Sequence, residues 1–382
     1  MDAQAVLSRV TEVSQSFASD RRNRQLRRNL DRADFDRLTE AGFLLTGVPE
    51  AMGGLWSDIR HSTRPIAEIL RALALGDPSV ALVSAMHPAV IAFLLSQPEA
   101  PEPYSQAWSE QKRFVAKSAL DGDWWGTITS EPGSGGDVAK TRTLAKPEAG
   151  GSYRITGQKH FGSGSGIAAY MITSALPEGE TEADWFFLET RGAAWDGSTG
   201  MKLVAEWDGH GMAATQSHAF EFNDFPATRF AWPGNLRVFS SAVGALVSAL
   251  FTAVVVGVTQ SAIEDARLQI ARRKDALQAY EQVEWARIEN EAWLIEQAYE
   301  GMLRAVEAKG SGAGLDGLHA KTAISELAES VTSRICRVAG GGTFHRSSHL
   351  GAAFEDVRAL GFLRPPWVLA YDQILARTWE RS

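Results

Sequence analysis

The chain has 382 residues, with 38 Lys and Arg against 46 Asp and Glu, a formal net charge of −8. Hydrophobic residues at 45% and charged residues at 22% exclude a disordered chain, and the acid excess argues against a nucleic-acid surface. The single cysteine, Cys336, excludes an internal disulfide and a Cys-rich metal site, so no metal is expected.

The N-terminus, MDAQAVLSRVTEV, lacks a basic segment followed by an apolar run. That pattern is not a signal peptide and implies a cytoplasmic protein. The uncharged stretch from Val238 to Ile263 admits two readings, a membrane span or a helix buried on all sides. Its richness in Ala, Gly, Ser and Thr, without a second span, favours the buried helix and no membrane association. Tryptophan is over-used, at 12 against 6 Tyr.

In chain order, the first 121 residues read as a helical domain. Val6, Val10, Val13 and Phe17 recur at helical spacing, as do Phe35, Leu38 and Ala41, with Gly42 as a stop. Thr63 with Pro65 reads as a helix start leading through Ile66, Ile69, Leu70 and Leu73 to Gly76. Asp77-Pro78 opens another apolar helix through Met86 and His87, and residues 98–107 form a Pro-rich surface connection. Residues 122–232 change period. Tyr153–Ile155, Tyr170–Ile172, Trp185–Phe187 and Phe220–Phe222 are short β-branched and aromatic runs between turn residues, which predicts a β domain. Residues 233–382 are helical again, with long helices near 236–273 and 281–308. Gly310–Gly314 reads as a flexible link. A third helix carries Ile324, Leu327, Ala328, Val331 and Ile335 and ends at Gly340-Gly341-Gly342. Pro365-Pro366 precedes a short terminal helix. The fold class is α+β.

Generic catalytic motifs are missing. There is no phosphate-binding GxxxxGK[ST], no HExxH, no CxxC and no GxSxG. Gly162-Ser-Gly-Ser-Gly166 is half of a dinucleotide fingerprint, but it lies among strands and opens no helix. The most informative stretch is Thr129-Ser-Glu-Pro-Gly-Ser-Gly-Gly-Asp137, a strand end entering a Gly-rich turn. Such a turn brings backbone N–H groups and short hydroxyls close to a ligand, although an ordinary β turn has the same composition.

That stretch resembles the T-E-P-x-A-G-S-D motif of the acyl-CoA dehydrogenase superfamily. Further motifs follow in the same order: Ile155–Gly164, Gly211–Thr215 with Phe222-Asn-Asp224, and Gly340–Phe344 with Asp356 beyond it. Upstream, Gly42–Pro49 and Gly53-Gly54-Leu55 match as well. The resemblance spans nearly the whole chain. It implies an N-terminal helical domain, a central β-barrel-like domain and a C-terminal four-helix bundle, with a flavin (FAD or FMN) as cofactor.

By position, the resemblance puts Thr127, Thr129 and Ser130 along the flavin, Phe161 against its ring and Ser163 near its reactive edge. An aromatic surface with one hydroxyl is a sensible flavin wall. Arg273 takes the place of an arginine reaching the cofactor of a neighbouring subunit, and Gly340 and Gly341 the place where another subunit's backbone approaches. A homodimer or homotetramer follows if these hold. Arg273 also reads as plain surface charge beside Arg272 and Lys274.

The departures point further. Where a dehydrogenase carries its Glu base, this chain has Arg364, which stays protonated. The alternative base position, about Val247, is apolar. His160-Phe-Gly-Ser-Gly164 and Asp77-Pro-Ser79 with Met86-His87 look more like the desulfurisation-type, group D monooxygenases of this superfamily. The branch's C-terminal histidines fall at about Leu360 and Leu363. Oxygen activation on reduced flavin needs a dry pocket and a hydrogen-bond donor, for which His87 or Ser163 could serve. His87 also reads as a buried, satisfied structural histidine. Trp125, Arg364 and Trp367 are candidates for the substrate pocket, shaped for a flat aromatic molecule.

The leading expectation is a flavin-dependent monooxygenase of a small organic substrate, fed by a separate flavin reductase because no NAD motif is visible. The alternatives are a divergent FAD-dependent acyl-CoA dehydrogenase without its usual base, and a flavin-free binding or assembly protein.

Overall fold

The computed structural model describes residues 1–379. The N-terminal helices are α1 (Ala3–Ser19), α2 (Arg21–Arg24), α3 (Arg32–Glu40), α4 (Ile59–Ala74), α5 (Pro78–Leu95) and α6 (Ser105–Leu120). Strands follow: β1 (Trp125–Thr127), β2 (Leu144–Pro147), β3 (Tyr153–Gly162), β4 (Tyr170–Pro177), β5 (Asp184–Glu189), β6 (Met201–Ala205) and β7 (His218–Arg229). The chain then returns to helices α7 (Leu236–Ala242), α8 (Gly244–Ala271), α9 (Ala279–Lys309), α10 (Gly314–Ala339), α11 (His349–Val357), α12 (Ala359–Phe362) and α13 (Trp367–Trp379). The fold is therefore helices, a central sheet, then a helical bundle, as expected.

The sheet closes on itself. β4 pairs with β2, β2 with β3, β3 with β7, β7 with β5, and β5 back with β4. β1 runs parallel to β4, with Trp125 opposite Tyr170 and Thr127 opposite Ile172. Inward-facing Ile155, Met171, Phe186, Phe220, Phe222 and Phe225 fill the barrel. β3 bends twice against β7, between Ile155 and Gly157 and between Lys159 and Gly162. The second irregularity ends the strand at the segment that carries Phe161 and Ser163.

The helical domains share one core, in which α4 packs on α8 and α8 on α10. α5 and α8 are each long and apolar enough to cross a bilayer, yet 89% and 83% of their apolar windows lie inside the fold. α8 is thus a core helix, and α5 is a second apolar helix of the same kind, where the sequence pattern pointed to α8 alone.

Three local expectations change. α4 starts at Ile59, because the Asp58 carboxylate accepts from His61 N and caps the helix; Pro65 lies inside it. The helix expected over 236–273 breaks at Val243 (φ −112°, ψ 3°), just before Gly244. Gly310–Ala313 is an ordered 3₁₀ turn with Gly310 and Ala313 buried, rather than a flexible link.

Candidate functional site

The Glu131 turn is built around a buried ion pair. Lys159 Nζ lies 2.6 Å from Glu131 Oε1 and also donates to Thr141 Oγ1 at 3.0 Å and Ser174 O at 2.6 Å. Glu131 further accepts from Arg142 N at 2.7 Å and Thr143 Oγ1 at 2.7 Å. Burial pushes the Glu131 carboxyl up, but Lys159, Thr141 and the Arg142 N–H outweigh it and hold it at about 2. Glu131 thus anchors the turn. Its essential partner is Lys159, which in the sequence is only one position within the Ile155–Gly164 motif. His160 N donates to Ser130 O at 2.8 Å, tying the end of β3 to Ser130.

Just beyond, the backbone is strained. Among the described residues, four non-glycines have positive φ, and three of them are Phe161 (57°), Met212 (48°) and Gln216 (47°). Gly164 N donates to Thr215 O at 2.8 Å, so these three flank one junction. Strain of this kind persists only where surroundings enforce it, and it concentrates at functional sites. Phe161 is 56% exposed, an apolar ring presented outward with only Trp207 and His160 as ring neighbours.

Ser163 is buried at the same junction. Its hydroxyl lies 2.7 Å from Ser217 Oγ, which lies 2.7 Å from Thr215 Oγ1, which donates to Met212 O at 2.8 Å. Because the carbonyl at its end can only accept, the chain donates in one direction, from Ser163 to Ser217 to Thr215 to Met212 O, and leaves Ser163 Oγ with acceptor capacity. Ser217 was invisible to sequence reasoning because its partner lies 54 residues away. Gly211 supports the loop from behind: a Cβ there would sit 2.2 Å from Glu355 O, and Asp356 Oδ1 accepts from Met212 N at 2.6 Å. Burial pushes the Asp356 carboxyl up to about 7, and nearby Asp77 and Glu355 add to this despite the Met212 N–H.

Arg364 reaches this wall from the C-terminal segment. Its Nη2 lies 3.4 Å from Ser130 Oγ, its one side-chain hydrogen bond among the described residues. Pro366 packs on the Gly-rich turn, 2.9 Å from where a Gly136 Cβ would be. This tight approach explains glycine where the family motif has Ser. Thr127 and Thr129 are half-buried along the same strand, and the Thr127 hydroxyl reaches Met86 Sδ at 3.6 Å.

The structure therefore brings Ser130, Phe161 and Ser163 together through backbone contacts of 2.8–2.9 Å and adds Arg364 through the longer contact to Ser130. Two surface clefts, of about 280 Å³ beside Arg71 and Trp293 and about 610 Å³ beside Tyr153 and Phe187, are lined by none of these residues. The donor set, not cleft volume, locates the site.

Other candidates stand elsewhere or are already committed. His87 is fully buried; its Nε2 lies 2.7 Å from Leu44 O, and its Nδ1 accepts from Trp125 N at 3.0 Å. Burial lowers its pKa to about 4. With both ring nitrogens committed to backbone, His87 is a structural tie rather than a proton donor. The catalytic expectation for it is corrected. Trp125 is corrected as well. Its Nε1 donates to Ser118 Oγ at 2.8 Å and its ring stacks on Tyr170 at 4.7 Å, facing α6 rather than the Ser163 junction. Trp367 lies flat against Gly361, where a Cβ would meet its indole at 2.1 Å, and stacks on Tyr371 at 6.0 Å. Arg273 pairs with Glu281 at 2.6 Å and donates to Val338 O at 2.7 Å, just before Gly340. Gly340 and Gly341 are open: a Cβ at either would meet no heavy atom within 4 Å, and neighbouring Phe344 is 97% exposed. Arg273, Gly340 and Gly341 do not touch the Ser163 junction among the described residues.

The donor set fits a flavin: an outward aromatic ring, a buried hydroxyl chain, a segment lined by the half-buried hydroxyls of Thr127, Thr129 and Ser130, and a Gly-rich turn. Residues 126–225 match the model of the acyl-CoA dehydrogenase middle domain. With the fold, this likens the chain to the acyl-CoA dehydrogenase superfamily, and the relatives it is similar to are mostly monooxygenase-type. It is 26% identical over 366 residues to the amino sugar nitrososynthase DnmZ of Streptomyces peucetius, covering 87% of this chain and 82% of that one. It is 27% identical over 241 residues to the dibenzothiophene monooxygenase of Mycolicibacterium goodii, covering 60% and 54%. The solved structure of KijD3 with FMN and a dTDP-linked amino sugar superposes with a TM-score of 0.81 at 20% identity, covering 100% of this chain and 94% of that one.

Proposed function

We propose that this protein is a flavin-dependent monooxygenase that takes reduced flavin, FMN being favoured by the relatives, and O₂ to a small organic substrate. The observation that carries this is Arg364. The desaturation chemistry of acyl-CoA dehydrogenases needs a carboxylate base where this chain places a guanidinium, 3.4 Å from Ser130 Oγ. When bound, reduced flavin supplies two electrons that split O₂, one oxygen entering the substrate and the other leaving as water. The chain's own part is to hold and shield. Phe161 offers a surface for the ring, and Thr127, Thr129 and Ser130 offer hydroxyls along it. Ser163, whose proton is held by Ser217 and Thr215, offers an acceptor to the bound group and can donate to it only by giving up its bond to Ser217, in a position shielded from water.

The reading extends to a cytoplasmic homo-oligomer supplied by a separate flavin reductase. Exposed Phe344 beside open Gly340 and Gly341 supports a subunit contact near Arg273. So do Val368, Tyr371 and Leu375, exposed at helical spacing on α13.

Anaerobic titration of purified protein with reduced FMN, then exposure to O₂, tests the reading. A dissociation constant on the order of micromolar or tighter is expected, together with a flavin reoxidation trace altered by Ser163→Ala. If neither oxidised nor reduced FMN binds, the flavin reading fails. If Ser163→Ala leaves binding, spectrum and reoxidation untouched, Ser163 is misplaced.

A further inference from the structure

We infer that Arg364 is the anchor of an oxyanion site, a carboxylate or phosphate group held in front of Ser130. This deepens the functional reading above and rests on it for the identity of the ligand. The guanidinium is under-supplied with acceptors. Arg364 has five N–H donors in a fixed fork. Among the described residues it forms no ion pair, and its one side-chain bond is the long 3.4 Å contact to the neutral Ser130 Oγ. Arg24, an arginine buried more deeply than the half-buried Arg364, is fully matched, by Asp34 at 2.6 Å and Asp77 at 2.7 Å. A half-buried guanidinium without a counter-ion is costly unless a ligand supplies one. Consistent with this, burial lowers the Arg364 pKa to about 10, and Asp137, close enough to be felt, forms no ion pair with it.

The surroundings hold the fork in place rather than neutralise it. Lys321, itself buried, donates to Leu363 O at 2.9 Å and Pro365 O at 2.7 Å, the carbonyls on either side of Arg364. It makes no ion pair among the described residues, so it fixes the turn while adding a second positive charge. The 13-residue helix α13 begins at Trp367, and its positive N-terminal end lies three residues beyond Arg364. On the facing side, Pro366 presses on Gly136, which brings the Gly-rich turn to the same place. An oxygen-rich planar or tetrahedral anion matches such a fork in two-point geometry. Two sources share that chemistry: the phosphate of FMN and an acidic group on the substrate.

Binding measurements on the full-length protein separate them. FMN, riboflavin, benzoate and benzamide are titrated against the wild type, Arg364→Gln and Arg364→Lys, by flavin fluorescence for the first two and by calorimetry for the last two. If the phosphate is the anion, Arg364→Gln weakens FMN about tenfold or more and leaves riboflavin unchanged. If the substrate acid is the anion, the same variant leaves both flavins alone and weakens benzoate about tenfold, with benzamide unmoved. In either case Arg364→Lys recovers part of the loss, because it restores a point charge without the fork. Lys321→Met, which frees the flanking carbonyls, weakens the same anion by less. Equal losses for FMN and riboflavin, or no loss for FMN or benzoate, overturn the inference. A wild type that binds no flavin sinks the functional reading only. Calorimetry with benzoate and inorganic phosphate then decides the oxyanion site alone, and binding of neither overturns it.

Discussion

Lys159, buried, and Arg364, half-buried, are two cations behind the same Ser130 turn, and the fold supplies them very differently. Lys159 is fully buried and each of its three donors is used: the Glu131 carboxylate, the Thr141 hydroxyl and the Ser174 carbonyl. Burial lowers its pKa to about 8 even though Glu131 opposes the shift, and the field of Arg364 adds to the lowering. Arg364 has one long contact to a neutral hydroxyl. The contrast extends to their neighbours. The polar atoms of Lys159 and both ring nitrogens of His87 are matched by protein partners. On the Ser163 side, hydroxyls bond to one another, an aromatic ring faces outward and a guanidinium stands without a carboxylate. A fold satisfies the groups that hold it together and leaves incomplete those that await a ligand.

The contrast breaks most readily at Lys159. Lys159→Met leaves the buried Glu131 carboxylate without its cation and should cost about 3–5 kcal/mol in a urea titration. Arg364→Gln, which removes a charge that has no counter-ion in the free protein, should cost nothing and raise stability by about 1–3 kcal/mol. Equal losses at the two positions would dissolve the distinction. Next comes His87→Leu, which orphans Leu44 O and Trp125 N at an expected cost of about 1–3 kcal/mol for each group. His87 also carries a pH signature. Its folded pKa of about 4 lies below its ordinary 6.5, so protonation favours the unfolded chain. Wild-type stability should fall as pH drops from 6.5 to 4, and His87→Leu should flatten that slope. An unchanged slope would mean that the imidazole is not enclosed as described.

Much of the architecture was legible because it rests on periodicity. The 3.6-residue recurrence in α1, α4 and α10 and the short aromatic strands each report which face is buried, residue by residue. The uncharged run in α8 was legible as a core helix for a different reason, its richness in Ala, Gly, Ser and Thr. What escaped has another cause. Barrel closure through the β5–β7 pairing, the Ser163–Ser217 contact and the Lys321 hold on the Arg364 turn all join residues that are distant in sequence and have no shared pattern. The tryptophans illustrate the limit. Trp124 and Trp125 are adjacent, yet Trp124 stacks on Phe43 in the helical core and Trp125 on Tyr170 beside α6. Composition marked both as notable; only the alternation of side-chain direction sends them apart.

Asp356 offers a finer test on the open side of the site. Its pKa of about 7 lies above its ordinary 3.8, so the folded protein holds the proton more tightly than the unfolded chain. The stability it contributes is complete below about pH 3.8 and is lost as pH rises through 7. Asp356→Asn keeps an acceptor for Met212 N and removes the charge. The variant should match the wild type near pH 4 and exceed it by about 1–3 kcal/mol at pH 8. If the two chains lose stability in parallel up to pH 8, the carboxylate is better solvated than its position behind Gly211 implies.

The smallest expected effect on stability is the sharpest on function. Phe161 is strained at φ 57° and 56% exposed, so its side chain contributes little to folding while its backbone opposes it. Glycine adopts this conformation freely, although it also loosens the unfolded chain. Phe161→Gly should therefore leave stability within about 1 kcal/mol of the wild type, on either side. Flavin binding should weaken by about tenfold, since the loss of a stacked ring removes roughly 0.5–1.5 kcal/mol beyond the area it covers. A residue kept for packing would show the reverse, a loss of stability with binding intact. The two outcomes point in opposite directions, so one denaturation curve and one flavin titration on the same variant decide whether the strain at Phe161 serves a ligand.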